Sequence, residues 1–477
     1  RSSYDSMPAG DKFLVDIKGA EHHAFTDSDP CYPGGRRDPR HHTWIQQATL
    51  AYLDAFLKHN ESAEKWLVNE KLEKKTAGEC RQEYKPYDFS IVDAYIEKSL
   101  PGIGEGCVLT VIRGQRVIHR RAYGNFTLDR IVPIASATKW ISGGVLMSLV
   151  DTHGISLDDA ASKYLEEFRG DKADITIRQM FSHTHGFPDK PYLHRKKNIT
   201  MKEAVARIAD VPLAYKPGTA LLYSGLGMQA AGRICEVAAG KKWAAIAEEN
   251  IFRACDMKHT SYDAFGRTEN PMVPGGIRTC AGDYTNYMMM LVNRGYFRGR
   301  RILSEQAVDA MLSVQSGHVR ILRHPYAPFA SVDPDAAKAP YGIGCWIHTY
   351  DRQTGRGMEM TSGGAFGCIP FLDFTRNVAG VYLPCSRNMK KNDSGLMYNE
   401  AAIAYFGIKE RINMALGHVP KFSGKNEALH EAGIRREETK ENQVISMDRS
   451  GFRGSSPGPC SVKTVQCVTL TSGSGKH

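Results

Sequence analysis

The chain reads as an α/β protein of the α+β type. It predicts an antiparallel sheet assembled from two distant stretches, flanked by helices, with a mainly helical region inserted between them. Three observations lead there. Residues 108–112, an apolar run, and residues 117–123 lie on either side of Arg113-Gly114 and are expected to form a hairpin. Residues 140 to about 290 are dominated by apolar segments too long for strands, among them 140–150 and 228–239. From 341 to 384 short alternating runs return, with Ile369, Phe371 and then 378–383.

The other elements follow in order. Residues 12–17 alternate as a short strand, and residues 44–57 carry apolar side chains at helical spacing. Residues 69–88 are rich in charge, with Lys71, Glu73, Lys74 and Lys75 ahead of Lys85-Pro86, and residues 76–87 are expected to be a linker. A helix is expected over 91–100 and a closing helix over 392–406. Residues 411–477 lose apolar side chains and gain Gly, Ser, Lys and Glu, as in Gly454-Ser455-Ser456-Pro457-Gly458-Pro459, so this tail is expected to be disordered.

Composition excludes several classes. With 477 residues, 42% hydrophobic and 24% charged, the chain can bury a large core and hold more than one domain. The net charge of +10 is spread among acidic residues, without the basic-aromatic interleaving of a nucleic-acid-binding surface. No apolar run approaches the ~20 residues of a membrane span. The eleven cysteines include no C-x-x-C pair, which argues against a small disulfide scaffold. Most are expected to be buried small hydrophobes, Cys107 and Cys345 in strands among them.

Ser136-Ala137-Thr138-Lys139 carries the chemistry. It reads S-x-x-K at the head of the apolar segment 140–150. Three residues is about one helical turn, so Lys139 can share a face with Ser136. A buried lysine can lose its charge and act as a base toward a serine hydroxyl. On its own the motif marks a capped helix start far more often than a nucleophile. Two further stretches support the second reading. Tyr223-Ser224-Gly225 stands between a turn-rich stretch and an apolar helix, and Thr361-Ser362-Gly363-Gly364-Ala365-Phe366-Gly367 precedes an apolar strand run.

These motifs, in this order, resemble the serine β-lactamase and penicillin-binding-protein superfamily, in the branch of class C β-lactamases, DD-peptidases and related carboxylesterases. That branch carries S-x-x-K, Y-x-N and a K-T-G or H-x-G strand. Ile175 to Gly186, Pro274-Gly275-Gly276-Ile277 and Tyr341-Gly342-Ile343-Gly344-Cys345-Trp346 are similar to further stretches of it, and the resemblance covers roughly residues 88–408. It implies a β-lactamase/transpeptidase-like fold over 88–410 and a serine hydrolase working through an acyl-enzyme. Ser136 is then the nucleophile and Lys139 its base. Tyr223 is a proton-transfer partner, its phenol pKa lowered by the neighbouring ammonium. The amides of Ser136 and Ala365 form the oxyanion hole, and Ser362, Gly363 and Gly364 line the strand beside the substrate.

Two departures bear on the substrate. Gly225 stands where Y-x-N has asparagine, which in the family meets a substrate amide. Ser362 stands where lactamases and peptidases keep Lys or His, so a cation toward a substrate carboxylate is missing from this strand. Both favour carboxylic esters over β-lactams. β-Lactamase or DD-peptidase activity, or a non-catalytic penicillin-recognising binding protein, are the alternatives. The expected partners are small-molecule esters, amides or lactams, with no cofactor and no nucleic acid. By resemblance the location is periplasmic, envelope-associated or secreted.

Three other features have modest expectations. His183-Thr184-His185 lacks further ligands at metal spacing and is read as structural, so no metal is assigned. Asp158-Asp159 reads as a solvated helix start. Residues 1–75, with a strand, His22 and a final helix, resemble the C-terminal end of an α/β-hydrolase. The serine and acid that His22 would need are absent, so this segment is expected to be a hydrolase fragment or a plain extension without chemistry of its own.

Overall fold

The computed structural model describes residues 10, 12–20, 24, 38–58, 60–69, 71–152, 154–190, 193, 195–327, 335–391, 397–417 and 468–470. The chain divides into two compact units, residues 1–89 with 412–477, and residues 90–411.

In the first unit, strand β1 (Lys12–Ile17) pairs antiparallel along its length with β2 (Cys80–Lys85), from Lys12 opposite Lys85 to Ile17 opposite Cys80. Val468–Leu470 pairs antiparallel with the other edge of β1. Helix α1 (Pro39–Leu57) starts as its sequence prescribes, with Pro39 at the first position and the Asp38 carboxylate accepting from the Arg40 amide. Helix α2 (Glu61–Val68) is capped by Asn60. Phe13 packs with Tyr52, Ala55 and Leu67 and stacks on Tyr84 at 4.8 Å.

The segment 76–87, expected as a linker, therefore contains a strand. Its charged residues mask a period-two pattern in which Cys80 and Gln82 point inward. The buried Gln82 amide accepts from the Leu72 amide at 3.0 Å and donates to the Leu67 carbonyl at 2.5 Å, so burial leaves it satisfied. His22 lies outside the described residues, as does most of the tail expected to be disordered, 418–467 and 471–477.

The second unit is the sheet-and-helix assembly expected from the sequence. It runs α3 (Ser90–Ile103), β3 (Gly106–Arg113), β4 (Arg116–Gly124), β5 (Val132–Pro133), α4 (Thr138–Thr152), α5 (Leu226–Ala239), β6 (Arg278–Thr279), α6 (Ala281–Val292), β7 (Trp346–Tyr350), β8 (Gly357–Thr361), β9 (Ile369–Asp373), β10 (Val378–Pro384) and α7 (Glu400–Ala415), with shorter elements between. Six strands form one antiparallel sheet in the order β7-β8-β9-β10-β3-β4. The two ends of the unit meet at its centre, where Ala379 faces Ile112 and Pro384 faces Cys107. Every residue of β10 is buried, which is why 378–383 is continuously apolar rather than alternating.

Helix α4 is buried on every side from Thr138 to Leu149, so it has no polar face. Helix α6 crosses it and ties it down. The Tyr284 and Tyr287 hydroxyls donate to the carbonyls of Ala137 and Trp140, both at 2.6 Å. On the other side of the sheet Tyr405 of α7 packs on Phe371 and Tyr382.

The closing helix begins at Glu400 rather than 392. Met397–Asn399 instead pairs antiparallel with Met389–Lys391. The Asn399 side chain accepts from the Ala401 amide at 2.9 Å, a cap that sets the start where apolar spacing alone could not. Among the described residues eight cysteines are free, seven of them buried. No described helix is long and apolar enough to cross a membrane.

Candidate active site

Ser136 owes its position to backbone constraint on both sides. Upstream, β5 pairs with β6, and the Ile134 amide donates to the Ile277 carbonyl at 3.0 Å. Ala135 then takes φ of +47°, a left-handed conformation that costs a non-glycine residue energy and is held only where the surroundings enforce it. A single 3₁₀ turn over Ala135–Ala137 leads into α4, with Ser136 at its middle.

Lys139 lies one turn along, only 4% exposed. Its Nζ is 2.9 Å from Ser136 Oγ, 2.8 Å from the Pro274 carbonyl and 4.8 Å from the Tyr223 ring centroid. Burial lowers its pKa to about 7, and the charge of Arg195 pushes the same way. A neutral amine there has a lone pair for the serine proton while an N–H still donates to Pro274.

Tyr223 stands among rings, 4.5 Å from His183 and 5.5 Å from Trp346, and lines the same cavity as Ser136. Its phenol is not lowered, as the sequence reading expected, but pushed well above its ordinary value by burial, against a smaller opposing effect of the Ser136 side chain. The same dry surroundings that free Lys139 of its proton penalise a phenolate. His183 supports this ring from behind. It is fully buried, and its Nδ1 is 2.9 Å from the Ser224 carbonyl. Burial holds both His183 and His185 neutral, with the pKa of His185 lowered to about 4.

The glycine-rich stretch packs against the turn that carries Ser136. A Cβ on Gly364 would lie 2.1 Å from the Ile134 carbonyl oxygen, and one on Gly363 would lie 2.4 Å from the Tyr326 hydroxyl, so both positions require glycine. The Gly363 amide donates to that hydroxyl at 3.0 Å. Ser362 is turned away. It is 2% exposed, and its hydroxyl donates to the Gly344 carbonyl at 2.9 Å. Ala365 is exposed, its carbonyl accepting from Asn399 at 3.0 Å, and among the described residues its amide has no acceptor.

Ser136, Lys139, Tyr223, Gly225 and Ala365 come together on one cavity of about 840 Å³, whereas Ser362, Gly363 and Gly364 do not line it. Among the other residues that line it are four basic ones that the sequence reading did not single out: Arg195, Lys197, Arg323 and Arg387. Arg323 pairs with Asp189, and Lys197 donates to the Phe265 carbonyl. Arg195 and Arg387 are exposed and have no ion-pair partner among the described residues. Their loops carry no periodicity or motif that could have marked them. Pro274 was visible as part of Pro274-Gly275-Gly276-Ile277, but its role as acceptor for Lys139 was not.

A six-stranded antiparallel sheet between helices, with an S-x-x-K pair whose lysine is buried, defines a β-lactamase/transpeptidase-like fold. The chain belongs to the β-lactamase family of hydrolases: the family model described as Beta-lactamase matches residues 93–395. A solved candidate β-lactamase from Bacteroides dorei is 29% identical and superposes with a TM-score of 0.62, covering 69% of this chain and 99% of that one. A penicillin-binding protein homologue from Caulobacter crescentus, at 17% identity and TM-score 0.54, shares the fold over 69% of this chain and 97% of its own. In sequence, the D-alanyl-D-alanine-carboxypeptidase/endopeptidase AmpH of Escherichia coli is 25% identical over 323 residues, 59% of this chain and 79% of its own.

Proposed function

We propose that the protein is a serine hydrolase that cleaves carboxylic esters through an acyl-enzyme on Ser136. The observation that carries the reading is the buried Lys139 amine, 2.9 Å from Ser136 Oγ, with its pKa lowered to about 7. Neutral Lys139 takes the proton from Ser136 as Oγ bonds to the substrate carbonyl carbon. The Ala365 amide, with that of Ser136, receives the developing oxyanion. Tyr223, protonated, relays a proton to the departing alkoxide and is replenished from Lys139. Water then attacks the acyl group by the reverse route and releases the acid.

Gly225 and the inward-turned Ser362 offer nothing to a substrate amide or carboxylate, which favours a plain ester. A second reading is favoured by Arg195 and Arg387: two guanidinium groups on the cavity, without an ion-pair partner among the described residues, suit a substrate with a carboxylate, such as a lactam or a peptide, and the Escherichia coli relative is a carboxypeptidase/endopeptidase.

The test compares kcat/KM for p-nitrophenyl butyrate and nitrocefin and maps the peptide labelled by a fluorophosphonate. The ester should be the better substrate and Ser136 the labelled residue. Ser136→Ala should lower the ester rate by on the order of 10³-fold or more. A higher kcat/KM for nitrocefin selects the second reading, and a label elsewhere overturns both.

A further inference from the structure

Away from this cavity, His259, Cys280 and Asp283 converge so that one ligand atom from each lies within 4.8 Å of the other two. We propose that these three side chains form a binding site for a divalent transition metal, with zinc the best match.

The donor set is imidazole, thiolate and carboxylate, the set that zinc accepts in four-coordinate sites. Tetrahedral bonds of about 2.0–2.3 Å place neighbouring ligand atoms about 3.3–3.7 Å apart. His259 Nδ1 and Asp283 Oδ1 are already 3.6 Å apart. The other carboxylate oxygen of Asp283 accepts from the His259 amide at 2.6 Å and from the Thr260 hydroxyl at 2.9 Å. Those two bonds fix the carboxylate and leave Oδ1 for the metal, as supporting partners of a ligand do. Cys280 is the N-cap residue of α6, and both it and Asp283 are buried, while His259 is half exposed. The ion therefore has an entry side.

That side opens into a cavity of about 300 Å³, which Asp129 and Arg120 also line. Asp129 or water can fill the fourth position. Arg120 opposes a cation, but Asp129, Asp283 and a Cys280 thiolate together outweigh its charge. The neighbouring Lys258 and Arg298 both pair with Asp256.

The site's place in the fold gives it a purpose. Cys280 follows β6, which pairs with β5 just before Ser136, and Asp283 precedes Tyr284, whose hydroxyl holds the Ala137 carbonyl. A metal here would pin the 257–283 region against the nucleophile turn as a structural brace rather than take part in the chemistry.

The full chain is stripped with a chelator and titrated with Co²⁺, then Zn²⁺. One equivalent of Co²⁺ should bind with a thiolate charge-transfer band and the visible bands of tetrahedral cobalt, and Zn²⁺ should displace it. At about 100-fold excess over its dissociation constant, Zn²⁺ should raise the thermal midpoint by about 5 °C. Cys280→Ser should abolish the charge-transfer band. His259→Ala, at an exposed position that does not threaten folding, should weaken Co²⁺ binding on the order of a hundredfold. No stoichiometric binding by the wild type, or an unchanged spectrum and affinity in His259→Ala, overturns the proposal.

Discussion

The Ser136 corner and the rim of the cavity are built on opposite principles. At the corner, the buried Lys139 amine lies close against the half-buried Ser136 and Tyr223, so each group's chemistry depends on the others. At the rim, Arg195 and Arg387 are exposed, carried on loops and without an ion-pair partner among the described residues. Burial leaves the Lys139 amine able to accept a proton, and exposure leaves the rim guanidinium groups open to solvent. A change at the corner should therefore act on turnover, and a change at the rim on selection.

The largest effect that would break this contrast lies in the coupling of Lys139 and Tyr223. Lys139→Ala or Tyr223→Phe alone should remove most of the activity, about a hundredfold or more, and the double variant should lose little further. Losses that multiply would mean the two act separately. The pH profile adds the sign. Lys139 must be neutral to accept a proton, and its lowered pKa is about 7. Ester kcat/KM should thus fall below about pH 7 and level off above it. Because the pKa is lowered rather than raised, folding is favoured as pH rises from about 7 toward the ordinary lysine value. Lys139→Met should lose that gain. A profile flat down to pH 5 would remove Lys139 as the base.

A smaller effect is expected at the rim. Arg387→Glu and Arg195→Glu should leave kcat/KM for neutral p-nitrophenyl butyrate within about twofold. They should lower it roughly tenfold for a p-nitrophenyl ester whose acyl chain ends in a carboxylate, and added salt should shrink the difference. Arg195 also disfavours the charged form of Lys139, so its reversal should shift the pH midpoint upward slightly. Equal losses on both esters would erase the distinction between corner and rim.

The same contrast explains what could be read from sequence. The corner depends on residue types at fixed local spacing: a serine and a lysine one turn apart, a tyrosine before an apolar helix, and glycines at two close approaches. Local spacing survives in a linear chain. The rim joins residue 195 to residue 387 across the fold, and nothing local records that approach. The strand at 80–85 was hidden for a different reason, since its charged outward residues looked like a solvated linker. The phenol of Tyr223 was misjudged because its neighbours were known but their dryness was not. His259, Cys280 and Asp283 leave no such local mark, because His259 meets the other two only through the fold.

The smallest expected effect concerns Ser362. The sequence reading gave it a place beside the substrate and expected a lysine there to favour lactams. Its hydroxyl instead donates to the Gly344 carbonyl at 2.9 Å, and the residue does not line the cavity. Ser362→Ala should cost about 1 kcal/mol of stability through that unmet carbonyl, read as a lower thermal midpoint by about 2–4 °C. Its ester kcat/KM should stay within about twofold. Ser362→Lys would force an ammonium group into a position that is 2% exposed, so it should lower stability more than it improves nitrocefin turnover. An alanine variant with an unchanged midpoint and a tenfold lower kcat/KM would show that the hydroxyl reaches the substrate. Ser362 would then belong to the recognition surface rather than to the packing behind it.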